Sequence, residues 1–593
     1  VSNLDLGIIG NCGIAALIDK KANIVWSCLP RFDRDPVFHS LLGSPSGAPG
    51  EGVYSIELDG FVSSEQSYVP NTALLRTVLN GETGSVEIID FVPRFHWRDR
   101  TFRPQMLVRR ILPLSGAPRV RIRVKPRFEY GLSAPQVTCG SNHIRYVGPK
   151  LAIRLTTDAP IDYLIDEIAF NLAEPVNLIL GPDETLSEGP AETAENFQKR
   201  TELYWRTWVH RLTLPPDWQD AVIRAAITLK LCSYEPTGAI VAALTTSIPE
   251  AKETERNWDY RYCWIRDALF VVRALNSLSA VKTMEDYVRW IMNIMATTND
   301  HIQPVYGVGL ESQLTEWIVD QLAGYRGTKP VRVGNQAYEH FQHDTYGNLV
   351  LGASQAFFDK RLLAPAGIED FRKLEFAGEQ SFELHDKPDA GMWELRHRAR
   401  IHTSSSVMCW AACDRLAKIA AHLGLQDRAA LWRERADQIK NTILTRAWSE
   451  KRRAFVESFE GDHLDASVLL MSEVGFIDAA DPRFLSTLEL MEEVLGRGPH
   501  MMRYEAADDF GVPKTAFNVC AFWRVDALAR AGRRERAKEI FEALLETRNH
   551  LGLMSEDTDF ETGEAWGNFP QTYSMVGIIN GAVRLSRPWE AVV

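Results

Sequence analysis

The hydrophobic rhythm of the chain changes near residue 190, and that change restricts it to a β part followed by an α part. Before it, short runs rich in Val, Ile, Tyr and Phe are punctuated by Gly, Asn and Pro. They fall at 14–29, 53–58, 74–79, 86–91, 106–113, 120–124, 144–147, 151–156 and 176–180, and 19–23 reads as a hairpin turn. Many short strands with turn signals between them predict an antiparallel β-sandwich over 1–190. Residues 191–217 read as a linker region, with a polar helix over 191–212 that carries Tyr204, Trp205 and Trp208. From 218 to 593 the pattern is helical, with runs at 219–233, 262–278, 283–296, 403–423, 426–442 and 535–547. Leu416, Ile419, Ala420 and Leu423 share one helical face, and Gly424 follows as a C-cap. Successive helical hairpins without intervening strands predict a closed toroid of helix pairs. Its long loops, notably 298–314 and 505–514, gather at one mouth and carry the chemistry.

Composition removes several classes of function. Asp and Glu (78) outnumber Lys and Arg (66), a net charge of −12, which repels phosphate backbones and argues against a nucleic-acid partner. No run of 18 apolar residues is present, so no membrane span is expected. The eight cysteines are widely spaced and form no CxxC, which argues against a zinc or redox site and favours a reducing cytoplasm. The N-terminal residues lack the basic region of a signal peptide. Gly307-Val308-Gly309 lacks the third glycine of a dinucleotide fingerprint, and no P-loop or GxSxG elbow occurs. His340 and His343 lack a zincin glutamate and read as hydrogen-bonded imidazoles. Self-association leaves no readable signal.

What remains is carboxylates among aromatic residues. One segment, 256–268, carries Trp258, Asp259, Tyr260, Trp264, Arg266 and Asp267. Others are Gly391-Met392-Trp393-Glu394-Leu395-Arg396, Ser555-Glu556-Asp557-Thr558-Asp559 and 562–571 with Glu564 and Trp566. Indole faces stack on pyranose rings, Arg and Asp bind vicinal hydroxyls, and two carboxylates flanking a glycosidic bond hydrolyse it. The alternative for these residues is core tryptophans at 393 and 566 and solvated helix ends at 394 and 556.

These strings resemble glycoside hydrolase family 15, the glucoamylase and bacterial trehalase family. The resemblance spans nearly the whole chain. It includes Gly7-Ile8-Ile9-Gly10-Asn11, 257–267, Gly324-Tyr325-Arg326-Gly327, Gln342-His343-Asp344-Thr345-Tyr346-Gly347, 391–396 and 556–571. It implies an N-terminal β-sandwich, a C-terminal (α/α)6 barrel and an inverting mechanism. Glu394 would be the general acid and Glu556 the general base, with Glu564 bracing the same loop. Arg266 and Asp267 would grip the non-reducing glucose, Trp264, Trp393 and Trp566 would wall the pocket, and Tyr325 and Arg326 would form its rim. Gln342, His343 and Asp344 are expected to be structural. The chain has Met575 where many relatives have His, and Ser406 where many have Lys, which bears on the leaving group. The expected activity is that of an exo-acting α-glucoside hydrolase of glucoamylase type. It would release β-D-glucose from the non-reducing ends of malto- or isomalto-oligosaccharides, with α,α-trehalase as the second reading. A phosphorylase is disfavoured by the retained Glu556, and a non-catalytic sugar-binding protein by both glutamates. Water and two carboxylates suffice for hydrolysis, so no metal or organic cofactor is expected.

Overall fold

The computed structural model describes residues 3–43, 51–298, 301–362, 364–396 and 398–592. Up to residue 182 the chain builds two antiparallel sheets. The first runs in the order Gly7–Gly10, Ala15–Ile18, Ile24–Cys28, Val53–Leu58, Arg119–Lys125 and Phe170–Asn171, with Pro36–Phe38 paired beside Ile24–Cys28. The second runs Gln136–Cys139, His143–Val147, Ala152–Thr157, Val176–Pro182, Leu107–Gly116, Gly84–Phe91, Leu75–Gly81 and Phe61–Tyr68. Strand period explains the packing. In Arg119–Lys125, Val120, Ile122 and Val124 are buried while the arginines between them reach toward solvent. Gly7–Gly10 and Ala15–Ile18 are buried throughout, because the helical part covers their outer side. Phe61–Tyr68 was not expected from the sequence. It is a polar edge strand with little burial, and so it carries no hydrophobic signal.

One charged strut crosses the sandwich core. Arg109, on Leu107–Gly116, pairs with Asp90 of the neighbouring strand at 2.7 Å. The same guanidinium donates to the carbonyls of Tyr54 (2.9 Å) and Ala22 in the other sheet. Both partners are wholly buried.

Pro190–His210 forms the helix between the two parts. Beyond it, six inner helices close a ring: Ile265–Ser277, Asp344–Ser354, Thr403–His422, the short Leu470–Glu473, Asn518–Arg530 and Thr572–Leu585. Each packs on the next and the last packs on the first. The outer layer is Gln219–Leu231, Val281–Thr297, Ile368–Leu384, Gln426–Arg446, Pro482–Leu495 and Arg534–Glu546. This is an (α/α)6 barrel. Inner helices such as Thr572–Leu585 are buried nearly all round, whereas outer ones such as Arg534–Glu546 keep one apolar stripe. The strand-free expectation for this half fails in its loops, where short ribbons such as Trp317–Ile318 with Arg332–Val333 tie long excursions together. No helix among the described residues is long and apolar enough to cross a membrane.

Removing one partner of a buried ion pair leaves the other charge uncompensated. Asp90→Ala is therefore expected to destabilise the sandwich by about 3–5 kcal/mol, read from urea unfolding.

Candidate active site

The inner helices all start at one end of the barrel, and the residues at their starts meet there. Trp264 precedes Ile265–Ser277, Gln342 precedes Asp344–Ser354, Phe517 precedes Asn518–Arg530 and Gln571 precedes Thr572–Leu585. Unpaired N–H groups at helix starts make this end of the ring favourable for carboxylates. The pocket between them is lined by Trp258, Tyr260, Trp264, Arg266, Asp267, Trp393 and Glu394, among others.

Arg266 is the hub of its inner wall. Its guanidinium lies 3.5 Å from Asp267, 3.6 Å from Asp344 and 3.7 Å from Glu394, and donates to Gln342 Oε1 at 3.0 Å. Burial raises the Asp267 carboxyl to about 7 even though Arg266 pulls it down. Arg266 Nε and Asp267 Oδ1 carry no protein hydrogen bond.

Glu394 is presented by a tight turn. Gly391 adopts φ +69°, and a Cβ there would lie 2.7 Å from the His402 ring. Glu394 itself holds φ +61°, a strained conformation for a residue with a side chain. Its Oε1 accepts from Trp264 Nε1 at 2.6 Å and from Gln342 Nε2 at 3.2 Å. The adjacent Trp393 is held by Asp465, which accepts from its Nε1 at 2.7 Å and which burial raises to about 6.

Glu556 lies deeper: it is 1% exposed and does not itself line the pocket, whereas its partner Tyr260 does. The hydroxyl of Tyr260 donates to its Oε1, and the Asn568 N–H to its Oε2 at 3.3 Å. Gly567 makes room, since a Cβ there would lie 2.7 Å from Glu556 Oε2. Glu250, Glu556 and Asp557 bring carboxylate oxygens within 4.8 Å of one another. That donor set suits a hard cation. A cation is already among them, because Arg503 lies 2.5 Å from Glu250 and 3.3 Å from Asp557. Burial, then the neighbouring carboxylates Asp557 and Glu250, hold the Glu556 carboxyl well above the usual range.

Not every expected residue reaches this pocket. Tyr325, Arg326 and Trp566 form a separate group behind it. Tyr325 and Trp566 meet edge-on at 6.0 Å, and the Arg326 guanidinium lies 4.9 Å from the Trp566 centroid and 3.4 Å from Glu564. None of the three lines the pocket. Trp566 pairs backbone to backbone with Asp557, and Ala565 N–H donates to Asn3, so the group backs this strand with N-terminal residues. Gln342 and Asp344, expected to be structural, both contact Arg266, and Gln342 bridges it to Glu394. His343 instead donates its N–H to Asp389. Sequence reasoning did not single out Glu250 or Arg503, took His340 as a hydrogen-bonded imidazole, and marked the segments 256–268 and 505–514 without naming Arg256, Asp508, Asp509 or Phe510 as site residues; all of these line the pocket. For Arg503 the available signal was the Arg-Tyr pair followed by three acids at the edge of the loop 505–514.

Residues 217–583 match the family model for glycosyl hydrolases family 15, and residues 5–171 match the model described as trehalase-like, N-terminal. The chain belongs to glycosyl hydrolases family 15. As a family 15 glycoside hydrolase it is similar over almost its whole length to several curated proteins. The trehalase of Mycolicibacterium smegmatis is 32% identical, covering 99% of this chain and 91% of that protein. The trehalase of Thermoplasma volcanium is 31% identical, with 98% and 93% covered. Trehalase 2 of Sulfolobus acidocaldarius is 29% identical, with 96% and 97% covered. A solved bacterial glucoamylase complexed with acarbose shares the fold at a TM-score of 0.69 and 12% identity, covering 98% of this chain and 94% of that one.

The Trp264 indole N–H is the shortest hydrogen bond to Glu394. Its removal in Trp264→Phe is expected to lower kcat by about tenfold, with KM nearly unchanged, in steady-state kinetics.

Proposed function

We propose that this family 15 hydrolase is an inverting α,α-trehalase. The observation that carries this reading is the likeness of both parts of the chain, end to end, to proteins named trehalase. It reverses the order expected from the sequence, where a glucoamylase-type activity came first. The pocket rim supports it. Asp508 is bound by Arg256, Asp509 accepts from the Arg396 N–H at 2.7 Å, and Phe510 packs edge-on against Trp258 at 5.6 Å. The loop 505–514 is thereby tied down at the mouth, and it offers charged groups to the hydroxyls of a second glucose ring.

In this mechanism Arg266 and Asp267, which line the pocket, hold the hydroxyls of one glucose. Glu394, the more exposed carboxyl, gives its proton to the glycosidic oxygen. Glu556 takes a proton from the water that attacks the anomeric carbon from the opposite face. One α-glucose leaves and one β-glucose forms, and the two carboxyls exchange protonation state, to be reset through solvent.

Early-time proton NMR with trehalose, maltose and isomaltose in parallel tests the reading. Equal α- and β-glucose from trehalose, with little release from the other two, is the expected outcome. β-Glucose from maltose or isomaltose but none from trehalose would replace trehalase by a glucoamylase-type activity, and α-glucose alone from maltose would refute inversion. Glu394→Gln and Glu556→Gln are each expected to lower kcat by about 10²–10⁴-fold. The base must be ionised to act, and its pKa is raised. The acid limb of kcat/KM is therefore expected well above the ordinary glutamate value of about 4.3, with activity lost as the pH falls through it.

A further inference from the structure

The stretch 258–261 runs extended, and its side chains alternate between two sides. Trp258 and Tyr260 face the pocket. Asp259 and Arg261 face away from it, toward the β-sandwich, and both are 0% exposed. Arg261 is gripped from both parts of the molecule. Asp259 accepts from its Nε at 2.8 Å and its Nη2 at 2.7 Å. The β part supplies the Arg34 carbonyl at 2.9 Å, the Tyr130 hydroxyl at 2.9 Å and Cys28 Sγ at 3.5 Å. The rings of Trp26 and Tyr130 lie 5.8 and 5.7 Å from the guanidinium. Asp259 is anchored in turn by the Gly334 N–H at 3.3 Å, and its carbonyl by Asn335 Nδ2 at 3.0 Å.

One residue away, on the pocket side, Tyr260 donates its hydroxyl to Glu556. Consecutive residues share a rigid peptide plane, so a side chain clamped at 261 leaves little room for Tyr260 to shift. The Asp259–Arg261 pair and its partners in the β part thus hold the residue next to the one that hydrogen-bonds Glu556.

We propose that the N-terminal β-sandwich is a positioning element of the active site: through Tyr130 and Arg34 it clamps Arg261, and Arg261 aims the Tyr260 hydroxyl at Glu556. The inference rests on Glu556 being the general base. Arg261 and Tyr130 are positioning residues that touch no substrate. Glu556 also faces Asp557, Glu250 and Arg503, which stay in place when the clamp is loosened. The change at the base is then the loss of one donor that favours its ionised form, and the acid limb of kcat/KM moves to higher pH.

A double-mutant cycle on the full chain tests this, using Tyr130→Phe and Arg261→Lys, each alone and combined with Tyr260→Phe. Tyr130→Phe keeps the Asp259–Arg261 pair and so remains informative should Arg261→Lys fold poorly. It is expected to lower kcat by about 3–10-fold with KM unchanged, and to shift the acid limb upward. In the Tyr260→Phe background the same change is expected to cost less than about twofold, because the group it aims is gone. Losses that multiply, or a Tyr130→Phe variant whose kcat and acid limb match the parent, would overturn the proposal while a dead Glu556→Gln left the base intact. Undiminished turnover in Glu556→Gln would instead remove the base, and this inference with it.

Discussion

The guanidinium of Arg503 is the charge on which the floor of the pocket depends. Three buried carboxylates within 4.8 Å of one another are not all ionised together without a cation nearby. Arg503 bonds Glu250 through both of its terminal nitrogens, reaches Asp557 at 3.3 Å and lies 4.8 Å from the Phe517 ring. Arg256 approaches Glu250 from another side at 3.7 Å and binds Asp508. Segments around 250, 503 and 557, far apart in sequence, are thereby held at one point, and Glu556 hangs from the last of them.

The barrel makes that convergence possible. Inner-helix starts at Trp264, Phe517 and Gln571 reach the pocket together with side chains from the long loops around 250–260, 335–340, 392–396 and 503–510. The surroundings of Glu394 are built from the starts of two inner helices plus the tight turn at Gly391. Those of Glu556 are built from a short three-stranded ribbon, Ala516–Phe517, Asp557–Thr558 and Ala565–Trp566. The β-sandwich is more than an appendage, since its residues hold Arg261 and its Trp26 donates to the Leu244 carbonyl at 2.8 Å beside the same segment.

Much of this was legible in the chain alone. The change from period 2 to period 3.6 separates the two architectures, and the hairpin around 19–23 lies where its turn residues place it. The strings around Glu394, Glu556 and Arg266–Asp267 carry the family. The edge strand Phe61–Tyr68 was not legible, because a half-exposed polar strand buries nothing that patterning detects. Nor was the inner helix Asp344–Ser354, whose burial nearly all round leaves no amphipathic period.

The sequence by itself determined the fold class and the family, because local periodicity and contiguous motifs are properties of neighbouring residues. Which side chains share the pocket was decided only by tertiary structure. Trp566, expected as a pocket wall, and Tyr325, expected at its rim, turn out to back a strand, while Glu250, which carries no local signal, comes to lie at the pocket floor with Arg503. The reason is physical. A side chain's direction depends on which face of its strand or turn meets the rest of the barrel, and a buried charge finds its partner across hundreds of residues. Neither is encoded in the residues beside it.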